Sequence, residues 1–368
     1  MTETPSLPLR GLRVISLAEQ YPGPYATLLM ADLGAEVIQV ERPQGGDPAR
    51  ISPIFHAALN RNKASVTLNL KTGEGRDALA ALLKDADVLM EGYRPGTMNR
   101  LGFGYAAARA INPRIVYASI TGYGQDGPYR DRPAHDLSYQ AVAGLLADMT
   151  RTGSTAAPGD LPLGDLSSGM FAVIGVLAAI VDRGRTGKGA YVDVSMTDGL
   201  VSWMGVALAA RAAGRPPLSP AASEPGYGIY ACADGRLVAF SIAYEDWFWT
   251  PLCETIGLPE LAGLKMAERW SRTETLRGEI AERIATRPLA HWAPLFDRAH
   301  LPWGPVSTLD DVLDDPHFQA RGMFRDVPAA DGGTRRYVAQ PLKIDGVRPG
   351  PVRDAPALGV DNDRYLES

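Results

Sequence analysis

Short apolar runs alternate with helically spaced segments through the first third of the chain. The run LRVISL, residues 12–17, ends at a Tyr-Pro-Gly-Pro turn, and residues 25–33 then show helical spacing up to Gly34. The same pattern predicts five further strands, over residues 36–40, 65–70, 87–90, 114–120 and 191–196, and a helix over residues 74–84. Strands separated by helices and short turns favour a parallel, doubly wound sheet. We therefore predict an α/β fold.

The second half of the chain has a different pattern. Long helical stretches are predicted over residues 136–146 and 165–180, before a polar, proline-rich linker over residues 215–225. Asp234-Gly235 then predicts a hairpin between strands over residues 227–233 and 237–242. Helices follow over residues 247–300, and a last strand is predicted over residues 338–344. A smaller α+β domain after the linker is the simplest interpretation.

Composition narrows the classes of function. The 368 residues include 37 Lys and Arg against 42 Asp and Glu, and a net charge of −5 argues against a nucleic-acid or membrane partner. The longest apolar run, residues 170–181, is shorter than a membrane span, and residues 1–14 do not resemble a secretory signal. Two cysteines without metal-type spacing are expected to be buried free thiols. These features predict a cytoplasmic enzyme.

Common cofactor motifs are missing from the sequence. The first strand is not followed by GxGxxG, and there is no GxxxxGK[ST] motif, so nicotinamide and P-loop functions are weakly supported. There is no HExxH motif or Cys/His cluster either, so we expect no metal site.

Basic residues do occur beyond the predicted strand ends. Arg42 follows the second strand, Arg61 and Lys63 precede the third, and Arg94 follows the fourth. Ligands of open α/β sheets bind beyond the carboxyl ends of the strands, where arginines can contact phosphates through paired hydrogen bonds. The alternative for each of these residues is ordinary solvated surface charge.

The acid/base candidates are His135, Asp165 and Glu245. His135 precedes a predicted helix, whose N-terminus is electropositive. Asp165 opens a long apolar helix and Glu245 lies where a strand meets a helix. The plainer alternatives are a hydrogen-bonded structural histidine, an N-cap aspartate and a first-turn glutamate.

Six long segments, in this order, resemble the family III CoA-transferase superfamily: GLRVISLAEQYPGPYATLLMADLGAEVIQVERP, LNRNKASVTLNLK, EGYRPGTMNRLGFGY, ITGYGQDGPYRDRPAHDLSYQAVAGLL, GDLSSGMFAVIGVLAAI and RTGKGAYVDVSMTDG. The superfamily includes formyl-CoA and carnitine CoA-transferases and α-methylacyl-CoA racemases. The resemblance implies an acyl-CoA thioester substrate, no permanently bound cofactor, and an interlocked homodimer. It also implies four segments: a Rossmann-like CoA-binding domain over residues 1–200, a linker over 201–225, a small α+β domain over 226–318, and a returning segment over 319–368.

The resemblance implies specific site residues as well. Substrate or CoA contacts are expected from Arg42, Leu59, Arg61, Lys63, Gly92, Tyr93, Arg94, Arg100, Asp136 and Tyr139. Asp165 matches the nucleophile of the transferases and an acid/base aspartate of the racemases. His135, in AHD, resembles the racemase motif GHD, and Glu245, in EDWFW, resembles a racemase EPxFW motif whose glutamate supports the histidine across the dimer.

These motifs favour a 2-methylacyl-CoA racemase, in which His135 and Asp165 remove and return the C2 proton on opposite faces. The alternative is a CoA-transferase that forms an anhydride and then a CoA thioester on Asp165. A non-catalytic CoA-binding scaffold is the third possibility.

Overall fold

The computed structural model describes residues 7–150, 161–216, 219–329 and 332–366. These residues form two compact units. The first contains the described residues as far as Gly205 together with those from Pro316 onward, and the second runs from Val206 to Asp315.

A six-stranded parallel sheet forms the centre of the first unit. Its strands are β1 (Arg13–Ser16), β2 (Glu36–Glu41), β3 (Ala64–Thr67), β4 (Val88–Glu91), β5 (Val116–Thr121) and β6 (Tyr191–Ser195). They are arranged in the order β3-β2-β1-β4-β5-β6, which confirms the predicted α/β sheet. The order reverses between β1 and β4, the position at which such sheets bind ligands.

The central strands contribute alternate residues to two hydrophobic cores, one on each face of the sheet. Val14 of β1 and Val88 of β4 belong to one core, and Ile15 and Leu89 belong to the other. Because both faces are covered, these strands are nearly continuous apolar runs in the sequence.

Helices cover the two faces of this sheet. They are α1 (Pro22–Asp32), α2 (Pro53–Asn60), α3 (Gly73–Lys84), α4 (Thr97–Leu101), α5 (Tyr105–Ile111), α6 (Asp136–Val142), α7 (Leu145–Thr150), α8 (Leu163–Thr186) and α9 (Met196–Trp203). The single helix predicted over residues 136–146 is divided between α6 and α7. Gly144 lies between them with a φ of 82°, a left-handed conformation that ends a helix.

Helix α8 is 24 residues long and packs on α1, β5 and β6. A Cβ atom at Gly169 would lie 2.9 Å from the carbonyl oxygen of Pro22, so glycine permits the close approach of α8 to α1. The helix is longer than the apolar run seen in the sequence, and its length and composition alone would allow it to cross a membrane. Ala172 and Val176, however, lie fully buried in the core of the unit.

The second unit combines an antiparallel sheet with short helices. Its elements are α10 (Gly205–Ala212), α11 (Pro220–Ser223), β7 (Tyr227–Ala231), β8 (Leu237–Ser241), α12 (Asp246–Ile256), α13 (Met266–Ser271), α14 (Thr273–Ile284), α15 (Leu289–Arg298), β9 (Trp303–Pro305) and α16 (Leu309–Asp314). Strands β7 and β8 pair around Asp234-Gly235, which confirms the predicted hairpin.

The C-terminal segment belongs to the first unit. It contains α17 (Pro316–Ala320), β10 (Phe324–Pro328), β11 (Thr334–Val338) and α18 (Asn362–Leu366). The strand predicted over residues 338–344 is wrong, because β11 ends at Val338. Its polar residues pair across the hairpin, where Arg336 contacts Asp326 at 2.9 Å, so apolar content did not reveal it.

Candidate active site

Two cavities open beyond the carboxyl ends of the central strands. The larger cavity, about 680 Å³, is lined by Gln20, residues 92–95, Arg100, residues 120–123, residues 130–135, Ser138, Tyr139 and Met196. The smaller cavity, about 490 Å³, is lined by Leu17, residues 40–44, residues 68–71, Tyr93, Thr97 and Leu101. Tyr93, in the loop after β4, lines both cavities.

The smaller cavity contains the predicted cation Arg42. Its side chain is more than half exposed, donates to the carbonyl oxygen of Gly46 at 3.0 Å, and lies 3.4 Å from Glu19. Asn69 and Lys71, which the sequence analysis did not select, line the same cavity. Lys71 follows directly after the strand predicted over residues 65–70, and this position was the signal that could have identified it. Asn69 falls inside that predicted strand, but the strand in the structure, β3, already ends at Thr67.

The larger cavity brings together most of the other predicted residues. Gly92, Arg94 and Arg100 line it. Arg130 and Arg132, which were not predicted, line it as well. The cavity is therefore rich in guanidinium groups, which suit phosphate and carboxylate ligands.

Arg61 and Lys63 lie in the interior instead. Arg61 forms a buried ion pair with Asp32 at 2.6 Å. The ammonium group of Lys63 donates to Asn60 at 2.8 Å, and burial holds the pKa of Lys63 well below its usual value. Leu59 is also buried. The structure therefore does not bring these three residues into either cavity.

Asp136 and Asp165 lie side by side at the start of α8. The Oδ1 atom of Asp136 accepts hydrogen bonds from the backbone N–H groups of Gly164 at 2.7 Å and Asp165 at 3.1 Å. Its Oδ2 atom accepts a hydrogen bond from Gln140. Asp136 therefore caps α8 from outside the helix. Within the described residues, no hydrogen bond engages the carboxylate of Asp165, so the N-cap alternative for Asp165 does not hold.

The electrostatic environment of Asp165 is unusual for a carboxylate. Burial, followed by repulsion from Asp136, raises the pKa of Asp165 to about 7. Tyr139, which lines the larger cavity, has its pKa raised to about 12 by burial and then by the charge of Asp165. Asp165 itself is not among the residues that line the larger cavity, but it is near enough to Tyr139, which does line it, for its charge to affect the pKa of Tyr139. Near neutral pH both protonation states of Asp165 are populated.

His135 precedes the first residue of α6 and is exposed at the wall of the larger cavity. Tyr139, one turn later, donates its hydroxyl to the carbonyl oxygen of Ala134 at 2.8 Å.

A racemase would need hydrogen-bond donors for an enolate oxygen. The backbone N–H groups of Gly164 and Asp165 at the start of α8 are already engaged by Asp136.

Glu245 belongs to the second unit. Its Oε2 atom accepts hydrogen bonds from the N–H groups of Ala243 at 2.8 Å and Tyr244 at 3.0 Å. Burial tends to raise the pKa of Glu245, but these hydrogen bonds outweigh it and leave the pKa below its usual value. The approach of Glu245 to His135 across a dimer stays a prediction.

A sheet order that places two cavities at its reversal point is shared by many enzymes, so comparison with known proteins decides the family. The sequence profile of CoA-transferase family III matches residues 9–362. The chain belongs to CoA-transferase family III. This confirms the resemblance and identifies an enzyme of that family.

Relatives within CoA-transferase family III match almost the whole chain. An acetyl-CoA:oxalate CoA-transferase of Acetobacter aceti is 35% identical, over 94% of this chain and 92% of the relative. A succinyl-CoA:mesaconate CoA-transferase of Haloarcula hispanica is 34% identical, over 98% and 96%. The crystal structure of a CaiB/BaiF family protein from Brucella suis superposes with a TM-score of 0.86 at 28% identity, over 98% of both chains. The names of the first two relatives favour the transferase alternative over the racemase.

Proposed function

We propose that this protein is a CoA-transferase that moves CoA between an acyl-CoA and a carboxylate, with Asp165 as the nucleophile. The observation that carries this proposal is that, of two neighbouring carboxylates, one accepts hydrogen bonds and the other does not. Asp136 caps α8, and Asp165 is left without a hydrogen-bond partner among the described residues, close enough to influence the pKa of Tyr139, which lines the larger cavity. A carboxylate that is desolvated and unpaired is a better nucleophile than one held by donors.

The reaction proceeds by exchange at the carboxyl carbon of Asp165. The ionised carboxylate attacks the thioester carbonyl, the C–S bond breaks, and CoA leaves as a thiolate while a mixed anhydride forms between Asp165 and the acyl group. The thiolate then attacks the Asp165 carbonyl, which releases the first acid and leaves a CoA thioester on the enzyme. The acceptor carboxylate attacks this thioester, its C–S bond breaks, and CoA thiolate leaves behind a second mixed anhydride, between Asp165 and the acceptor. CoA thiolate finally attacks the acyl carbonyl, which restores Asp165 and gives the new acyl-CoA.

The two cavities support a CoA ligand. Of the predicted cations, Arg42 lines the smaller of these two cavities, and Arg94 and Arg100 line the larger one. Guanidinium groups bind phosphate oxygens through charge-assisted hydrogen bonds, and CoA carries three phosphates. Oxalate and mesaconate, named for the two relatives, are dicarboxylates, which supports a small dicarboxylate as one of the acids exchanged.

We also propose that the active enzyme is a homodimer. Helix α8 presents large apolar side chains to solvent on the side away from the core: Met170 is 48% exposed, Ile174 58% and Val181 70%. A row of exposed apolar residues on one helix is typical of a protein–protein interface.

Trapping the enzyme-bound intermediate tests the transferase proposal. Incubation with an acyl-CoA should place CoA or the acyl group on Asp165, and hydroxylamine should release it and leave a hydroxamate at this position, visible by mass spectrometry. Asp165→Asn is the matched control and should show no adduct.

The racemase is the second candidate. Its proposed acid/base residue His135 lines the larger cavity, as does Tyr139, whose pKa is affected by the charge of Asp165. Incubation of a 2-methylacyl-CoA in deuterated water separates the two reactions. Deuterium at C2 with inversion, without an adduct at Asp165, would replace the transferase with the racemase.

A further inference from the structure

A buried carboxylate, Glu91, lies at the carboxyl end of β4 and has no role in the chemistry described above. It is 4% exposed. Its Oε2 atom accepts a hydrogen bond from the backbone N–H of Tyr93 at 2.8 Å, and its Oε1 atom accepts one from the hydroxyl of Ser119 on β5. Among the described residues, no lysine or arginine forms an ion pair with Glu91. Burying a carboxylate without a cation is costly, so its hydrogen bonds must hold it in place.

The hydrogen bonds continue from Glu91 across the ends of two further strands. The side-chain amide of Gln125 donates to the hydroxyl of Ser119 at 2.8 Å, and the backbone N–H of Gln125 donates to Asp193 of β6 at 3.0 Å. This chain of contacts joins the loop after β4 to the loop after β5. Both loops contribute residues to the larger cavity, and the loop after β4 carries Tyr93, which lines both cavities.

We propose that Glu91 is a positioning residue for the CoA ligand, because its ionised carboxylate holds the Tyr93 N–H and so fixes the loop that the two cavities share. The inference rests on the proposed function in so far as CoA occupies these cavities. Glu91 itself lines neither cavity, so it acts through Tyr93 and Arg94 rather than by contact with the ligand.

The surroundings of Glu91 make this contact sensitive to pH. Burial, together with the nearby charge of Asp193, raises the pKa of Glu91 to about 7, against the opposing hydrogen bonds from Ser119 and Tyr93. Among the described residues, the other titratable groups near it are the phenol of Tyr93, Tyr117 of β5 and Tyr191 of β6, and Tyr105 of α5 packs on the rings of Tyr117 and Tyr191. Below neutral pH the carboxyl group becomes neutral and accepts the Tyr93 N–H more weakly.

The test is the dissociation constant of CoA, measured by calorimetry from pH 5.5 to pH 8.5 for the wild type and Glu91→Gln. Glutamine has the same shape and reproduces the neutral state at every pH. The variant should therefore bind CoA about fivefold more weakly than the wild type at the alkaline end and equally at the acidic end. Titration of Asp165 or of the CoA phosphates is common to both proteins and cancels in the ratio.

Two further variants keep the test decisive if Glu91→Gln does not fold. Asp193→Asn keeps an acceptor for Gln125 but removes the like charge, so the midpoint of the affinity change should move to lower pH. Ser119→Ala removes a donor to the carboxylate, so the midpoint should move to higher pH. A general structural defect would change the affinity for CoA, but it would not move the pH midpoint of that affinity in opposite directions in Asp193→Asn and Ser119→Ala.

Two results would overturn the proposal. The first is that the protein binds CoA, but the ratio of the dissociation constants of the wild type and Glu91→Gln does not depend on pH, or the midpoints of Asp193→Asn and Ser119→Ala are unshifted. This result rejects the role of Glu91 and leaves the proposed transferase intact. Complete absence of CoA binding by the wild type at every pH rejects both.

Discussion

The Oδ1 atom of Asp136 lies 3.1 Å from the backbone nitrogen of Asp165, and this contact places two carboxylates at the start of one helix. One of them is used for hydrogen bonding and the other is not. Burial, and after it repulsion from the neighbouring negative charge of Asp136, raises the pKa of Asp165 to about 7. The helix end thus keeps a carboxylate in a state that is unfavourable for stability and useful for attack on a carbonyl.

Asp165→Asn should abolish transfer and stabilise the fold. Loss of the nucleophile should lower kcat by more than about 10³-fold. A carboxylate whose pKa is raised on folding weakens the folded state as pH rises from its unfolded pKa to its folded pKa. The neutral variant should therefore be more stable than the wild type at pH 8 by on the order of 2 kcal/mol, with little difference below pH 4. Thermal unfolding at the two pH values measures this.

The pH dependence of kcat should report the ionisation of Asp165. Only the ionised form attacks the thioester, so kcat should rise with pH through an apparent pKa of about 7. Asp136→Asn removes the like charge but keeps an oxygen to cap α8, so the midpoint should move to lower pH. A midpoint unchanged in Asp136→Asn would show that another group controls the profile.

Arg42 and Arg61 should give opposite phenotypes. Arg42→Gln, at an exposed position of the smaller cavity, should raise the KM for acyl-CoA about tenfold and leave the melting temperature unchanged. Arg61→Gln removes the ion pair of the buried Asp32, which among the described residues keeps only its hydrogen bond from Asn62, and should lower the free energy of unfolding by about 3 kcal/mol. Steady-state kinetics and thermal unfolding of both variants compare the two effects directly. A raised KM in Arg61→Gln with normal stability would return this residue to the site.

The apolar face of α8 should mediate dimer formation. Light scattering at micromolar concentration should give twice the chain mass of 39.4 kDa. Ile174→Glu places a charge on this face and should shift the mass toward the monomer, whereas Lys188→Glu, at an exposed position beyond the helix, should not. A wild-type monomer at this concentration would contradict the proposed assembly.

The central sheet could be predicted from the sequence because its strands are buried on both faces. Leu89, for example, stands between the equally apolar Val88 and Met90, and such runs are visible without any structure. The hairpin strand β11 carries Arg335 and Arg336, whose partners Asp354 and Asp326 lie elsewhere in the chain, so its polar residues concealed it.

The candidate site was predicted less completely, for a related reason. Position beyond a strand end identified Arg42 and Arg94, which do line the cavities. The same argument wrongly selected Arg61. Spacing along the chain does not reveal which way a side chain points, nor that Arg61 would find a partner in Asp32, at a distance of 29 residues in the sequence. Local sequence also suggested that Asp165 caps its own helix. The side chain that does cap α8 is Asp136, which lies on a different helix, and local sequence does not show contacts between helices.

The contacts of the C-terminal segment with β3 protect an open side of the sheet. β3 is one of the two edge strands of the sheet, and its backbone N–H groups at Ser65 and Thr67 donate to the side chains of Asp361 and Asn362, both at 2.8 Å. The backbone N–H of Asp361 returns a hydrogen bond to the carbonyl oxygen of Ser65 at 3.0 Å. An unpaired outer strand is a template on which another chain can add a strand. Asp361 and Asn362 therefore occupy hydrogen-bonding groups on the open edge of β3, and this leaves fewer of them free to pair with a strand from another molecule.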